Sequence, residues 1–108
     1  MSEPQLGVVI VSWNVRDLLA RCLYSLFAEL ERAQIEARVV VVDNASFDNS
    51  PDMIRAQFPQ VELIACEDNL GFAKGSNLGI RSLGLPHSLP LSRLIQSGER
   101  EGWPSGRG

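Results

Sequence analysis

The chain has 108 residues, which is enough for one domain with a small hydrophobic core and leaves no room for a second. Hydrophobic residues make up 44% of it and charged residues 21%, proportions that are ordinary for a soluble globular protein. The formal net charge of -3 gives no electrostatic reason to expect nucleic acid or an anionic membrane surface as a partner.

The cysteines and the amino terminus give no sign of export. Cys22 and Cys66 show no metal-ligand spacing, and we expect both to be buried, reduced thiols. The polar and acidic stretch Met1–Gln5 is unlike a signal peptide. No apolar run approaches the roughly 18 residues that a membrane helix needs. These features predict a cytoplasmic protein without a transmembrane segment.

The first predicted elements are a strand and a long helix. Leu6–Trp13 is a short, continuous apolar run, which is typical of a strand covered on both faces. Asn14 is the predicted N-cap of the helix that follows, and Asp17 adds a favourable charge near its start. Apolar residues at helical spacing predict an amphipathic helix over Val15–Ala33. Its apolar stripe comprises Leu19, Cys22, Leu23, Leu26, Phe27 and Leu30.

A second strand, a short helix and a third strand come next. Arg38–Asp43 is a buried strand, followed by turn residues. Ser50, Pro51 and Asp52 supply a cap, a first helical position and a first-turn acid, and the helix ends before Phe58. Val61–Cys66 is the third predicted strand.

Gly71–Leu83 is the last predicted helix, and it contains glycines at 71, 75 and 79. Since each glycine costs up to about 1 kcal/mol relative to alanine, we expect a close approach by packed backbone or by a ligand. The order βαβαβα predicts an open α/β parallel sheet with right-handed crossovers, in two layers or in three. Such a sheet keeps an open edge, through which the chain could self-associate.

Past Leu83 the composition changes to Gly, Pro and Ser, and no helical or strand period remains. Such a composition buries too little apolar surface to fold. We therefore predict one structured part over residues 1–83 and a disordered tail over residues 84–108.

Polar side chains follow each predicted strand. Because ligands bind beyond the carboxyl ends of strands in an open parallel sheet, these side chains form a candidate site. Asp43 can accept hydrogen bonds from a base or a sugar, and Trp13 can stack on a flat ring. Lys74 lies near a helix start, where backbone donors favour phosphate. The candidates are Ser12, Trp13, Asn14, Asp43, Asn44, Ser46, Glu67, Asp68, Asn69, Gly71, Lys74 and Asn77.

Each candidate also has a plain structural interpretation. Asp43 can cap the next turn, Trp13 can be packing surface, and Lys74 can be a solvated charge. The glycines can reflect close helix–sheet packing. Only the convergence of Asp43, Trp13, Lys74 and the glycines on one edge of the sheet favours a binding site. A Rossmann dinucleotide domain is disfavoured because no G-x-G-x-x-G opens the first helix, and a response-regulator receiver because no acidic cluster follows the first strand.

Three blocks carry a family resemblance: VVIVSWN, VVVVDNASFDNS and NLGFAKGSNLGI. In this order and at these intervals they resemble the opening of family 2 glycosyltransferases of the GT-A type, and are similar to bacterial rhamnosyltransferase-like members that build surface polysaccharide. The resemblance covers roughly residues 6–83. It implies an incomplete GT-A sheet that binds a UDP-, dTDP- or GDP-sugar, for transfer to a glycan or lipid-linked acceptor.

The resemblance also implies roles for particular residues. Ser12 and Trp13 would contact the base or ribose, and Asp43 would hydrogen-bond the base. Asn14 and Asn44 belong to the same two blocks. Gly71 with Lys74 and Asn77 would form the wall beside the nucleotide.

The chain departs from the family pattern after Asn77. Full-length members use a later acid pair to hold Mg²⁺ or Mn²⁺ on the diphosphate, and a further carboxylate as base. Here the only later acids are Glu99 and Glu101, in a Gly/Ser/Arg context. We therefore predict no metal ligands and no catalytic residues in this chain.

The prediction is a truncated donor-binding form, in which out-of-frame or misannotated sequence replaces the rest of a longer enzyme. Full-length members would lie in the cytoplasm, at the inner membrane face. A non-catalytic nucleotide-binding or protein-interaction module is the alternative.

Overall fold

The structure, a computed structural model, describes residues 4–84. Every element expected from the sequence is present, and predicted and observed ends differ by at most a single residue. The tail predicted over 84–108 lies, beyond Gly84, outside the described residues. The elements are β1 Leu6–Ser12, α1 Arg16–Ala33, β2 Ala37–Asp43, α2 Ser50–Gln57, β3 Glu62–Ala65 and α3 Gly71–Ser82.

The three strands form one parallel sheet in the order β1-β2-β3. The β1–β2 register runs without interruption from Leu6 opposite Ala37 to Ser12 opposite Asp43. Asp43 in turn lies opposite Ala65 of β3. All three strands therefore end at one edge, which we call the rim: Ser12–Val15, Asp43–Asn49 and Cys66–Gly71.

Helices cover both faces of the sheet, so the molecule has three layers. Val39 and Val41 of β2 pack into a core with α1 and α2. Val40 and Val42 point the other way, into a core with Phe72 and Leu83. The steps β1 to β2 and β2 to β3 go in the same direction, so right-handed crossovers put α1 and α2 on the same face. Of the two arrangements that the sequence left open, the three-layer one is observed.

The apolar stripe of α1 faces the sheet, with one exception. Leu19, Leu23 and Leu30 are buried against β2 and α2. Cys22, which belongs to the predicted stripe, is exposed, and Cys66 is half-buried. The prediction of two buried thiols was therefore wrong for Cys22, whose position lies at the margin of the stripe. No helix in residues 4–84 is long and apolar enough to cross a membrane.

The glycines of α3 are explained by close packing on the sheet. A Cβ at Gly75 would lie 3.1 Å from Val11 Cγ1 and 3.3 Å from Asn44 Nδ2. A Cβ at Gly79 would overlap Val9 Cγ1. Both positions therefore allow α3 to approach β1 and β2 more closely than an alanine would permit. Of the two readings that the sequence left open for these residues, the structure supports packing.

Arg38 joins the sheet to the carboxyl end of α3, at the end of the molecule opposite the rim. Its guanidinium makes two hydrogen bonds to the Glu62 carboxylate, of 2.8 and 2.6 Å. It also donates to the backbone oxygens of Ser82 and Leu83, at 3.2 and 3.4 Å. A cation at a helix carboxyl end satisfies carbonyls that the helix leaves open.

Candidate functional site

Ser12 and Asp43 lie side by side at the rim, because they are register partners at the ends of β1 and β2. Each residue is only 1% exposed. Asp43 Oδ2 accepts a hydrogen bond from the Ser46 amide at 2.9 Å, so the aspartate does cap the next turn. Asp43 Oδ1 and Ser12 Oγ, however, have no hydrogen-bond partner among the described residues. Buried polar atoms are seldom left unpaired, so this pair is the strongest indication of a binding site.

Asp48 links the two neighbouring loops, because its carboxylate accepts hydrogen bonds at the starts of two helices. Its Oδ2 accepts from the Arg16 amide at 2.9 Å, at the first residue of α1. Its Oδ1 accepts from the amide and the hydroxyl of Ser50, at 3.1 and 2.5 Å, at the start of α2. Burial of the Asp48 carboxylate raises its pKa, but the hydrogen bonds from Ser50 and from the Arg16 amide outweigh this and hold the pKa below its usual range.

The predicted capping role of Asn14 was therefore wrong. Val15 stands at the N-cap position of α1 and makes no side-chain cap, and the carboxylate comes instead from Asp48. Sequence reasoning missed Asp48 because this acceptor comes from another loop. A local signal existed, since an Asp two residues before Ser50 is suited to an Asx turn.

Asn14 instead connects the same loops. Its backbone amide donates to Ser46 Oγ at 2.8 Å, and its Oδ1 accepts from the Phe47 amide at 2.8 Å. Asn14 adopts φ 53°, a left-handed conformation that asparagine tolerates better than most residues. This reciprocal pair fixes the position of the β2–α2 loop relative to the end of β1.

The same two loops carry two aromatic side chains that contact each other. The rings of Trp13 and Phe47 meet edge to face, with centroids 6.3 Å apart and planes at 84°. Trp13 is half-buried. Phe47 is 83% exposed.

Asn44 holds the third loop of the rim. Its side chain is fully buried, with Nδ2 donating to the Gly71 carbonyl and Oδ1 accepting from the Leu70 amide, both at 3.1 Å. Gly71 has φ 88°, a conformation that favours glycine, and its amide donates to Asn69 Oδ1 at 2.9 Å. Asn44 thus fixes where α3 begins.

The structure brings most of the predicted residues together at the rim and places two on the outside of α3. Lys74 and Asn77 are exposed, on the side of α3 away from Gly75 and Gly79, which face the sheet. Lys74 has no ion-pair partner within residues 4–84. The predicted residues gathered at the rim are Ser12, Trp13, Asn14, Asp43, Asn44, Ser46, Glu67, Asp68, Asn69 and Gly71.

The described residues do not form a metal centre. Across residues 4–84, no three His, Cys, Asp or Glu side chains lie close enough together to hold an ion. Cys66 lies next to Asp43, but burial and the nearby carboxylate raise the pKa of its thiol, which disfavours the thiolate that binds metals. Glu99 and Glu101 lie outside the described residues.

A groove of about 700 Å³ lies elsewhere, between α1 and α2. Its lining includes Arg16, Arg21, Asp17 and Asp52, so both signs of charge are present. This mixture favours neither an anion nor a cation.

Comparison with known proteins identifies a family and a solved structure of similar fold. Residues 7–83 match the sequence profile described as Glycosyl transferase family 2. No curated protein matches the chain. The mannosyltransferase PcManGT from Pyrobaculum calidifontis, solved in complex with GDP-Man and Mn2+, is 25% identical with a TM-score of 0.62. The match covers 76% of this chain and 25% of that one, so this chain spans about a quarter of its length.

Proposed function

The chain belongs to glycosyl transferase family 2, and from this premise we propose that its rim binds the nucleoside part of a nucleotide sugar. The fold supports the proposal, since it is an open parallel α/β sheet of the GT-A type with the rim at its carboxyl edge. The observation that carries it is the buried pair Asp43 Oδ1 and Ser12 Oγ, which lack partners among residues 4–84.

The chemistry of this pair suggests which bases fit. Asp43 Oδ1 can accept from a ring N–H, and the Ser12 hydroxyl can donate to a neighbouring carbonyl. Uracil, thymine and guanine each present a ring N–H beside a carbonyl, whereas adenine presents no such edge. A UDP-, dTDP- or GDP-sugar is therefore the proposed ligand. Because both atoms are buried, entry of the base requires the surrounding side chains to move apart.

The phosphates would lie near the start of α3. Gly71 places the first amides of this helix at the rim, where the helix dipole favours negative charge. Lys74 follows within the first turn and is exposed without an ion-pair partner in residues 4–84. Lys74 and Asn77 remain proposed members of the wall beside the nucleotide, reached from the outer side of α3.

We propose that this chain binds a nucleotide sugar, and we do not propose that it transfers the sugar. Members of the family would use Mg²⁺ or Mn²⁺, and the neighbour from Pyrobaculum calidifontis was solved with Mn2+. The described residues of this chain do not fit such an ion, since they contain no cluster of ligands. Transfer of the sugar to a glycan or lipid-linked acceptor in polysaccharide synthesis is proposed only for a longer enzyme that contains this part.

Calorimetric titration with UDP, dTDP, GDP and ADP, with and without Mn²⁺, tests the proposal. We expect at least one of the first three to bind independently of Mn²⁺, and ADP to bind far more weakly. Asp43→Asn should weaken binding about 10- to 100-fold, because it removes a charge-assisted hydrogen bond.

The matched control for this titration is Asp52→Asn, an exposed acid in the first turn of α2. It should bind like the parent. No binding of any nucleotide at millimolar concentration, or equal binding by Asp43→Asn and the parent, would contradict the proposal.

A protein-interaction module is the second candidate, and the β1 edge favours it. Leu6–Ser12 has no charged residue, no proline and an uninterrupted register, whereas the β3 edge is four residues long and carries Glu62. Charged residues and short length protect strand edges from pairing, so β1 is the less protected edge. We propose that the chain self-associates through the open edge of β1.

A cytoplasmic location is part of the same proposal. Both cysteines are free, and Cys22 is exposed, a state that persists in reducing compartments. Attachment at the inner membrane face is a proposal for the full-length family alone.

A further inference from the structure

Phe47 is an exposed aromatic side chain on a backbone that is held in place. Its amide donates to Asn14 Oδ1 at 2.8 Å, and the amide before it, of Ser46, donates to Asp43 Oδ2 at 2.9 Å. Its side chain is nevertheless 83% exposed, more than any other large hydrophobic side chain in residues 4–84. The exposure therefore does not come from a loosely held loop, since the loop is hydrogen-bonded on both sides.

Phe47 belongs to one of the two loops that flank the candidate base site. Phe47 is one residue from Ser46, which is bonded to the carboxylate of Asp43. Its ring meets Trp13, the residue after Ser12, edge to face at 6.3 Å. The two aromatic rings therefore belong to the two loops that carry the unpaired atoms Ser12 Oγ and Asp43 Oδ1.

We propose that Phe47 is a stacking residue for the nucleobase of the bound nucleotide. The proposal rests on the proposed function, and it adds a residue that neither the sequence pattern nor the family resemblance singled out. A base whose polar edge is turned toward Ser12 and Asp43 presents its two flat faces sideways, to the side chains of the flanking loops, and these loops carry Trp13 and Phe47. An edge-to-face contact with Trp13 leaves most of the Phe47 ring surface open for such a face.

Base stacking and base-edge bonding act on different properties of a ligand. Stacking uses the flat face that every base has, so Phe47 contributes affinity for a base without choosing among UDP, dTDP and GDP. Selectivity among bases then depends on the hydrogen bonds of the base edge with Ser12 and Asp43. Ligands without a base gain nothing from Phe47.

Titration of Phe47→Ala with UDP, dTDP and GDP tests this role. Affinity for the nucleotide that the parent binds should fall about 5- to 100-fold, because stacking on an aromatic side chain is lost. Phe47→Trp should retain affinity. Ribose 5-phosphate and pyrophosphate, which lack a base, should bind the variant and the parent equally.

Two controls separate stacking from general damage. Leu18→Ala removes another exposed apolar side chain, 61% exposed on α1, and should bind nucleotide like the parent. The thermal midpoint of Phe47→Ala should stay near that of the parent, since the ring buries little surface. Parent binding with less than a twofold change in Phe47→Ala overturns the stacking role alone. A parent that binds no nucleotide overturns the proposed function and the stacking role together.

Discussion

At the scale of single residues, Asp48 connects the starts of two helices at the rim. One carboxylate accepts backbone hydrogen bonds at the starts of α1 and α2, and these helices begin in different loops. The loops are the ones that carry Trp13 and Phe47. Asp48 touches none of the proposed base contacts, so its effect on binding would be indirect, through the position of the loops.

Replacing Asp48 should lower stability in a pH-dependent way. Asp48→Ala leaves both helix starts without their acceptor, and we expect the free energy of unfolding at pH 7 to fall by about 1–2 kcal/mol. The pKa of Asp48 is lower in the folded protein than in the unfolded chain. Its contribution to the free energy of unfolding is therefore complete above the unfolded-state pKa and is lost as the pH falls through the folded-state pKa. The difference between parent and variant should therefore shrink below about pH 4, measured by urea unfolding.

Asp52→Ala is the control for this measurement. Asp52 is an exposed first-turn acid paired with Arg55, so its removal should cost less, about 0.3–1 kcal/mol. Unfolding curves for Asp48→Ala and the parent that stay equally far apart from pH 7 to pH 3 would show that the charge of Asp48 does not act as described.

At the scale of elements, the close packing of α3 on the sheet depends on glycines, which have no side chain. Gly75 and Gly79 bring the helix onto Val9 and Val11, and Gly71 allows the turn that precedes it. The carboxyl end of α3 is then held by Arg38. The helix is thus fixed at its start, its middle and its end, which fixes where its first amides lie at the rim.

Gly79→Ala should destabilise the protein although alanine is the better helix former. The new methyl group would overlap Val9 Cγ1, and overpacking of this kind costs about 1–3 kcal/mol. Adding Val9→Ala should recover part of the loss, because the two residues are in direct contact. Chemical unfolding of the single and double variants measures this coupling.

Arg81→Ala provides the comparison on the same helix. Arg81 is exposed, and alanine there creates no overlap, so stability should change little. A Gly79→Ala variant that is as stable as the parent would mean that the helix and sheet can move apart freely.

At the scale of the whole molecule, the three-stranded sheet has two unequal edges. The β3 edge is short and carries Glu62, which is bound to Arg38. The hydrogen bonds from Arg38 hold the pKa of Glu62 below its usual range, so this carboxylate stays ionised at neutral pH and into more acidic solution. The β1 edge has no such charge between Leu6 and Ser12.

If β1 mediates self-association, the dimer population should rise with protein concentration in sedimentation velocity. Leu6→Lys places a charge at the exposed start of β1 and should shift the equilibrium toward monomer. Ala28→Lys adds the same charge to an exposed position of α1 and should leave the equilibrium unchanged. A parent that stays monomeric at every concentration would contradict the role of β1.

The sequence by itself determined the elements, their order and most of the rim. Hydrophobic period and turn residues predicted each strand and helix, because these signals are carried by residues close together in the chain. The carboxyl ends of parallel strands meet at one edge, so the sequence alone could place Ser12 and Asp43 at the same edge of the sheet. The three sequence blocks identified the family that the profile match confirms.

Only the tertiary structure decided how the rim is held together. The bonds from Asn14 to Ser46 and from Arg16 to Asp48 each join residues 32 positions apart, and they depend on the register of β1 and β2. The same packing places the Asn44 side chain where it anchors α3. It leaves the Phe47 side chain exposed and Ser12 Oγ without a hydrogen-bond partner among the described residues. Local propensity predicts which segments become strands and helices, but contacts between loops exist only once the sheet has brought their ends together.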